Sequence, residues 1–106
     1  MNAVKEMIPA LVEAELRKAN ELNPPFHSMH EGYAVLLEEV EETEEALKSV
    51  KYYLEMIWHY IRWNKPEVAL QMAKELEARA NHLAAEAIQV SAMTRKFQAI
   101  GTEEEK

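Results

Sequence analysis

The stretch IRWNKPEVAL, residues 61–70, decides the fold because it places one short break between two long segments of helix-forming sequence. Proline lacks the backbone N–H of a helix interior and disfavours helical geometry in the residue before it, so a helix ends before Pro66. Proline is well tolerated in the first turn, so Pro66 also begins the next helix. Because the connection through Asn64 and Lys65 is so short, we predict that the two helices form an antiparallel hairpin.

Apolar residues recur at intervals of three and four on both sides of this break, which is the period of an amphipathic helix. The stripe before the break consists of Tyr33, Leu36, Val40, Thr43, Leu47, Val50, Leu54, Ile57 and Ile61. The stripe after it consists of Ala69, Met72, Leu76, Ala80, Leu83, Ala87, Val90, Thr94 and Phe97. These patterns predict helices over about residues 28–63 and 66–100.

Capping signals define the outer ends of the hairpin. Ser28 followed by Glu31 is typical of a capping box at a helix N-terminus. A kink near Ser49 to Lys51 that divides this helix is an open alternative. Gly101 predicts the end of the last helix, which leaves residues 102–106 as a frayed tail.

A further amphipathic segment precedes the hairpin. Pro24 and Pro25 interrupt helical sequence, so we predict a first helix over about residues 2–22. The long central segment carries a second apolar stripe that three helices alone leave uncovered. We therefore expect an all-α antiparallel helical bundle, one domain over residues 1–106, that is completed by oligomerisation.

Composition narrows the class of function. A net charge of −7 argues against a nucleic-acid partner, because phosphate backbones bind clustered lysine and arginine. The chain has no cysteine, and its apolar runs are far shorter than the ~20 residues that span a bilayer. We expect a soluble, cytoplasmic protein that has no membrane partner.

Six glutamates lie between positions 38 and 45, and two of them interrupt the second apolar stripe of the central helix. Glu39 and Glu42 are three residues apart and therefore share one face of that helix. In a hairpin with its turn at residues 64–65, position i faces roughly position 129 − i, because both helices rise equally per residue. Glu42 then lies level with Ala87, near Glu86. Gln89 and His82 lie close to the same level on the last helix.

Convergent carboxylates need a compensating cation, because desolvation and mutual repulsion both disfavour them. A hard divalent ion such as Mg²⁺ prefers oxygen ligands and shares them with phosphates. The competing interpretation is that the acidic run is simply a solvated helix face.

The pattern Glu38-Glu39-x-x-Glu42 followed by Glu86-x-x-Gln89 resembles the EExxE…ExxD signature of the MazG-like, all-α nucleoside triphosphate pyrophosphohydrolases. The stretches HEGYAV, residues 30–35, and EAIQVSAM, residues 86–93, resemble small phage-type and bacterial members. This resemblance implies Mg²⁺-dependent hydrolysis of a (deoxy)nucleoside triphosphate to the monophosphate and pyrophosphate, with Mn²⁺ as an alternative metal. It also implies a homodimer or homotetramer.

The resemblance implies roles for individual residues. Glu39, Glu42 and Glu86 would be metal ligands, and Glu38 would be a ligand or the catalytic base that orients water. Gln89 stands where the family has aspartate, and its amide oxygen would take the place of a carboxylate ligand. The candidates for binding substrate are His82, Lys48, Arg79 and Tyr33, with Lys51, Arg95 and Lys96 as further basic residues along the helices.

Two other functions fit the same sequence. One is a catalytically silent bundle that keeps the fold for nucleotide binding or assembly, with Gln89 marking the loss of activity. The other is a plain helical interaction module whose glutamates are solvated. Metal dependence separates the third interpretation from the first two, and turnover separates the first from the second.

Overall fold

A computed structural model describes the backbone of residues 3–104 and the side chains of residues 3–100. A short 3₁₀ helix, Lys5–Met7, leads into α1, Ile8–Leu22, followed by α2, Met29–Arg62, and α3, Pro66–Glu104. The prediction of an all-helical chain with a helical hairpin is confirmed. No described helix has the length and apolarity needed to cross a lipid bilayer.

The first helix begins later than the sequence analysis predicts, because Pro9 sets its start. Proline fits only the first turn of a helix, and Pro9 occupies that turn of α1. At the other end, Asn23 has extended backbone angles of φ −137° and ψ 145°, as expected for a residue that precedes proline.

Ser28 caps α2 as predicted. Its Oγ accepts a hydrogen bond from the Glu31 backbone N–H at 3.1 Å. The carboxylate of Glu31 accepts instead from His27 Nδ1 at 3.0 Å, so the partner of this side chain is a ring rather than the Ser28 backbone. The helix is continuous from Met29 to Arg62. It is therefore not divided near residues 49–51, which the sequence left open as an alternative.

The hairpin turn is a Schellman motif centred on a left-handed asparagine. Asn64 has φ 54°. The Lys65 N–H donates to the Tyr60 carbonyl at 2.9 Å, and the Asn64 N–H donates to the Ile61 carbonyl at 3.0 Å. These bonds satisfy carbonyls that the end of a helix leaves open, and asparagine tolerates the left-handed backbone better than most residues. Pro66 then begins α3 as predicted.

The prediction that Gly101 ends the last helix is wrong, because α3 continues to Glu104. A glycine terminates a helix when it adopts positive φ, and no described glycine does so. Within a helix, glycine costs only about 1 kcal/mol relative to alanine, which the helix tolerates here. The predicted frayed tail is therefore helical through residue 104, and residues 105 and 106 lie outside the described residues.

The chain divides into two compact units, Met1–Val40 with Ala87–Lys106, and Glu41–Glu86. In the first unit, buried Val12 on α1 packs with Ala92 and Met93 on α3. Further apolar side chains surround this core: Leu16, Ala19, Phe26, Val35, Leu36 and Ile88. Gly32 lies against Phe97 so closely that an added Cβ would be 2.5 Å from Phe97 Cδ1. This contact agrees with the predicted register, in which position 32 faces position 97.

The second unit is the closed end of the hairpin. It buries Ala46 and Ala69, whose small side chains permit close approach of two helices. Large apolar side chains stay exposed in this unit: Leu54, Trp58, Ile61, Trp63 and Leu70. The prediction of a single domain over the whole chain stays a prediction.

Candidate acidic metal site

Three glutamates form an acidic cluster. Glu39, Glu42 and Glu86 each offer one carboxylate oxygen, and these three oxygens lie within 4.8 Å of one another. Glu39 and Glu86 are half-buried, whereas Glu42 is exposed. The cluster is thus open to solvent on one side, as a site that shares its metal with a substrate must be.

The helices explain how these side chains meet. Glu39 and Glu42 are separated by about one turn on α2 and project from the same face. Glu86 lies on α3, which runs antiparallel to α2 from the turn at Asn64. Equal rise on both helices brings position 86 close to the level of position 42, so the structure brings together the three carboxylates that the sequence pattern singled out. Their role as metal ligands stays a prediction.

His82 stands beside this cluster. Its Nε2 is 3.5 Å from Glu86 Oε1, and it lies one turn earlier on α3. The side chain of His82 is 59% exposed, whereas that of Glu86 is only 18% exposed. The imidazole can therefore face solvent or a bound ligand while it remains near the less exposed carboxylate.

Gln89 lies in a cavity of the first unit that also contains Glu39. This cavity has a volume of about 380 Å³, and its polar lining residues are Glu15, Lys18, Asn23, Glu39 and Gln89. The Gln89 amide Nε2 donates a hydrogen bond to Glu15 Oε2 at 3.0 Å. This hydrogen bond places the Glu15 carboxylate of α1 next to Gln89 of α3, in the cavity that Glu39 also lines.

Glu15 and Lys18 are site candidates that the sequence analysis missed. Helical periodicity shows that α1 is amphipathic, but it does not show which of its polar residues approach the hairpin. Gln89 is the one signal that points to them, because an amide in place of a carboxylate can donate to an acidic neighbour.

Other predicted site residues have partners elsewhere or face solvent. Lys48 Nζ lies 3.2 Å from Glu45 Oε1, and both side chains are exposed. The Arg79 guanidinium lies 5.6 Å from the centroid of the Tyr53 ring. Tyr33 is 62% exposed, and Glu38 is exposed on α2. The structure therefore gives Lys48 and Arg79 partners of their own, and their contact with a substrate stays a prediction.

The donor set fits a hard divalent cation. Three carboxylates supply oxygen ligands, which Mg²⁺ and Mn²⁺ prefer over nitrogen or sulfur. Carboxylates this close repel one another, and a divalent ion would remove that repulsion. Comparison of the chain with protein-family models, with curated proteins and with solved structures gives no match.

Proposed function

We propose that this chain is a Mg²⁺-dependent nucleoside triphosphate pyrophosphohydrolase that releases a nucleoside monophosphate and pyrophosphate. The observation that carries the proposal is the approach of Glu39, Glu42 and Glu86 within 4.8 Å. The resemblance of their sequence motif to the MazG-like signature supports the choice of reaction. A cytoplasmic location would supply both the nucleotides and the metal.

In this proposal Glu39, Glu42 and Glu86 hold the metal. When bound, a divalent ion neutralises phosphate charge and lowers the pKa of a coordinated water. The resemblance to the MazG-like signature assigns Glu38 one of two roles: a further metal ligand, or the base that accepts a proton from the attacking water. Its exposed position on α2 leaves its carboxylate accessible to solvent, from which that water comes. Water then adds across the bond between the α- and β-phosphates, and pyrophosphate leaves.

Glu15 supplies the negative charge that aspartate at position 89 would bring. The Gln89 side chain donates one N–H to the Glu15 carboxylate. Its amide oxygen stays available to accept a hydrogen bond or to coordinate a metal. Because Glu15 and Glu39 line the same cavity, a carboxylate from α1 is available on the Gln89 side of the site. Lys18 lines this cavity as well and is our candidate for contact with a substrate phosphate.

His82, Lys48, Arg79 and Tyr33 remain the proposed contacts to the rest of the substrate. His82 has the strongest support, because it lies 3.5 Å from Glu86 and is more than half exposed. Lys48 and Arg79 would have to exchange their present partners, Glu45 and Tyr53, for a phosphate.

A second copy of the chain completes the bundle in this proposal, as a homodimer or homotetramer. Trp58 is 58% exposed, Trp63 is 62% exposed and Leu70 is 68% exposed. Several large apolar side chains exposed at one end of a helical hairpin favour a protein–protein interface there.

A catalytically silent bundle is the second candidate function, and the hydrogen bond of Gln89 favours it. With its nitrogen bonded to Glu15, the side chain at position 89 has only one neutral oxygen to offer a metal. Nucleotide binding without turnover would then be the remaining activity.

Release of pyrophosphate from a panel of NTPs and dNTPs with Mg²⁺ or Mn²⁺ tests the proposal. The test variant is Glu39→Gln/Glu42→Gln. The matched control is Glu41→Gln/Glu44→Gln, which removes the same charge at two exposed positions of the same helix. Release by the wild type and the control, but not by the test variant, supports the enzyme. Binding of a nucleotide without release supports the silent bundle, and equal release by both variants contradicts the site.

A further inference from the structure

Lys96, in the first unit, is a lysine whose side-chain stem is buried. Lys96 is only 6% exposed, and no other charged residue among the described side chains is buried. Its ammonium lies 5.0 Å from the centroid of the Phe26 ring. Among the described residues, no carboxylate forms an ion pair with it.

The ring alone does not satisfy this ammonium. Lysine carries three N–H donors, and an aromatic face compensates the charge without accepting from all of them. Burial of a cation without a carboxylate or a set of hydrogen bonds is unfavourable. Among the described residues, no fully buried side-chain nitrogen or oxygen lacks a hydrogen-bond partner, so the Lys96 ammonium reaches solvent, where water or an anion from outside the chain can take its remaining donors.

Two cavities that offer space for such a ligand are each lined by both Lys96 and Phe26. One cavity, of about 120 Å³, is lined by Lys96, Phe26, Arg95 and Asn20 together with apolar Leu16 and Ile100. A second cavity, of about 280 Å³, is lined by Lys96 and Phe26 together with Val35 and Met93. An ammonium beside apolar walls matches a ligand that has an acidic group and an apolar body.

At the first cavity, the neighbouring charges leave Lys96 without a carboxylate partner. Arg95 lines the first cavity, but its Nη1 lies 2.6 Å from Glu13 Oε2. Glu31 lines the second cavity, where its carboxylate offsets the charge of Lys96, because its partner at 3.0 Å, His27 Nδ1, is charged only when the ring is protonated. Lys96 therefore leaves a local positive charge at the first cavity, in a chain whose net charge is −7.

We propose that Lys96 and Phe26 form a binding site for a small carboxylate with an aromatic or branched apolar body. The carboxylate accepts hydrogen bonds from the Lys96 ammonium, and the body packs against Phe26, Leu16 and Ile100. The first cavity shares no lining residue with the cavity of Glu39 and Gln89, whereas the second cavity shares Ala19, Asn23 and Met93 with it. Lys96 is seven residues beyond Gln89, about 10 Å along α3, and Glu39 lines neither cavity.

Titration with benzoate, followed in ¹H–¹⁵N NMR spectra, tests the proposal, and benzamide is the neutral probe of the same shape. In the wild type, benzoate should cause saturable shifts at Phe26, Lys96 and Ile100. Benzamide should bind at least about tenfold more weakly, because it cannot form the charge-assisted hydrogen bond. Equal affinity for the two probes, or no saturable shift with benzoate, would overturn the proposal on the wild-type protein alone.

Substitution of Lys96 then tests whether its charge binds the carboxylate. Lys96→Met keeps an apolar chain of similar length and should lose benzoate affinity at least about tenfold. Lys74→Met is the matched control, because it removes a lysine from an exposed position of the same helix, and should bind benzoate as the wild type does. Unchanged affinity in Lys96→Met would contradict the proposal. Glu39→Gln/Glu42→Gln should keep full benzoate affinity, so this site and the catalytic one can fail independently.

Discussion

Replacement of Gly32 with alanine tests the register of α2 against α3 in the first unit. The new Cβ would lie 2.5 Å from Phe97 Cδ1, 2.9 Å from Phe97 Cε1 and 3.1 Å from Phe26 Cδ2. Carbon atoms pack at about 3.5–4.0 Å, so the ring of Phe97 has to move while Phe26 blocks a second direction.

Two opposing effects set the size of the change. Alanine is favoured over glycine in a helix interior by about 0.5–1 kcal/mol. Insertion of a methyl group into a packed site costs about 1–3 kcal/mol. The clash is the larger effect, so we expect Gly32→Ala to lower the free energy of unfolding by about 1 kcal/mol.

Urea unfolding followed by circular dichroism, at one fixed protein concentration, measures this change. Ala34→Gly calibrates the helix propensity alone, because Ala34 is exposed two residues along α2, and should cost about 0.5–1 kcal/mol. A Gly32→Ala variant that is more stable than the wild type would refute the packing of Phe97 against Gly32.

Three further changes test other parts of the structure. Gln89→Asp should lower the free energy of unfolding by about 1.5–3 kcal/mol in thermal or urea unfolding without metal, because it removes a hydrogen bond to the Glu15 carboxylate and adds a like charge. Added Glu15→Gln should restore most of that loss, and no restoration would argue against the pair. Asn64→Ala should cost about 1 kcal/mol because of the left-handed backbone at φ 54°, whereas Asn64→Gly should cost nothing; equal costs in urea unfolding would contradict the turn. Trp58→Glu should convert the proposed oligomer to a monomer in analytical ultracentrifugation, and a wild type that sediments as a monomer at every concentration would exclude the oligomer.

The hairpin can be predicted from sequence because its signals are local. Asn64 and Pro66 fix the turn, and two helices of equal rise then fix which residues lie level. The same equal rise predicts that Glu86 lies near Glu42, and the described cluster agrees with it. It also predicts that Gly32 and Phe97 lie level in the first unit, where they are in contact.

Other features depend on tertiary contacts that periodicity does not encode. The rotation of α1 decides that Glu15 reaches Gln89, and the sequence of α1 offers several equivalent polar positions. The prediction for Gly101 is wrong because a helix can carry a glycine when no turn requires positive φ. The late start of α1 follows from Pro9, since a proline belongs in the first turn rather than in the interior.

Direct metal binding is the measurement that tests the central claim most closely. Isothermal titration of the apo protein with Mn²⁺ should show a saturable site that Glu86→Gln weakens at least about tenfold, because one of three oxygen ligands loses its charge. Glu77→Gln is the matched control at an exposed position of the same helix and should bind Mn²⁺ as the wild type does. No saturable Mn²⁺ binding, or equal binding in both variants, would contradict the assignment of Glu39, Glu42 and Glu86 as a metal site.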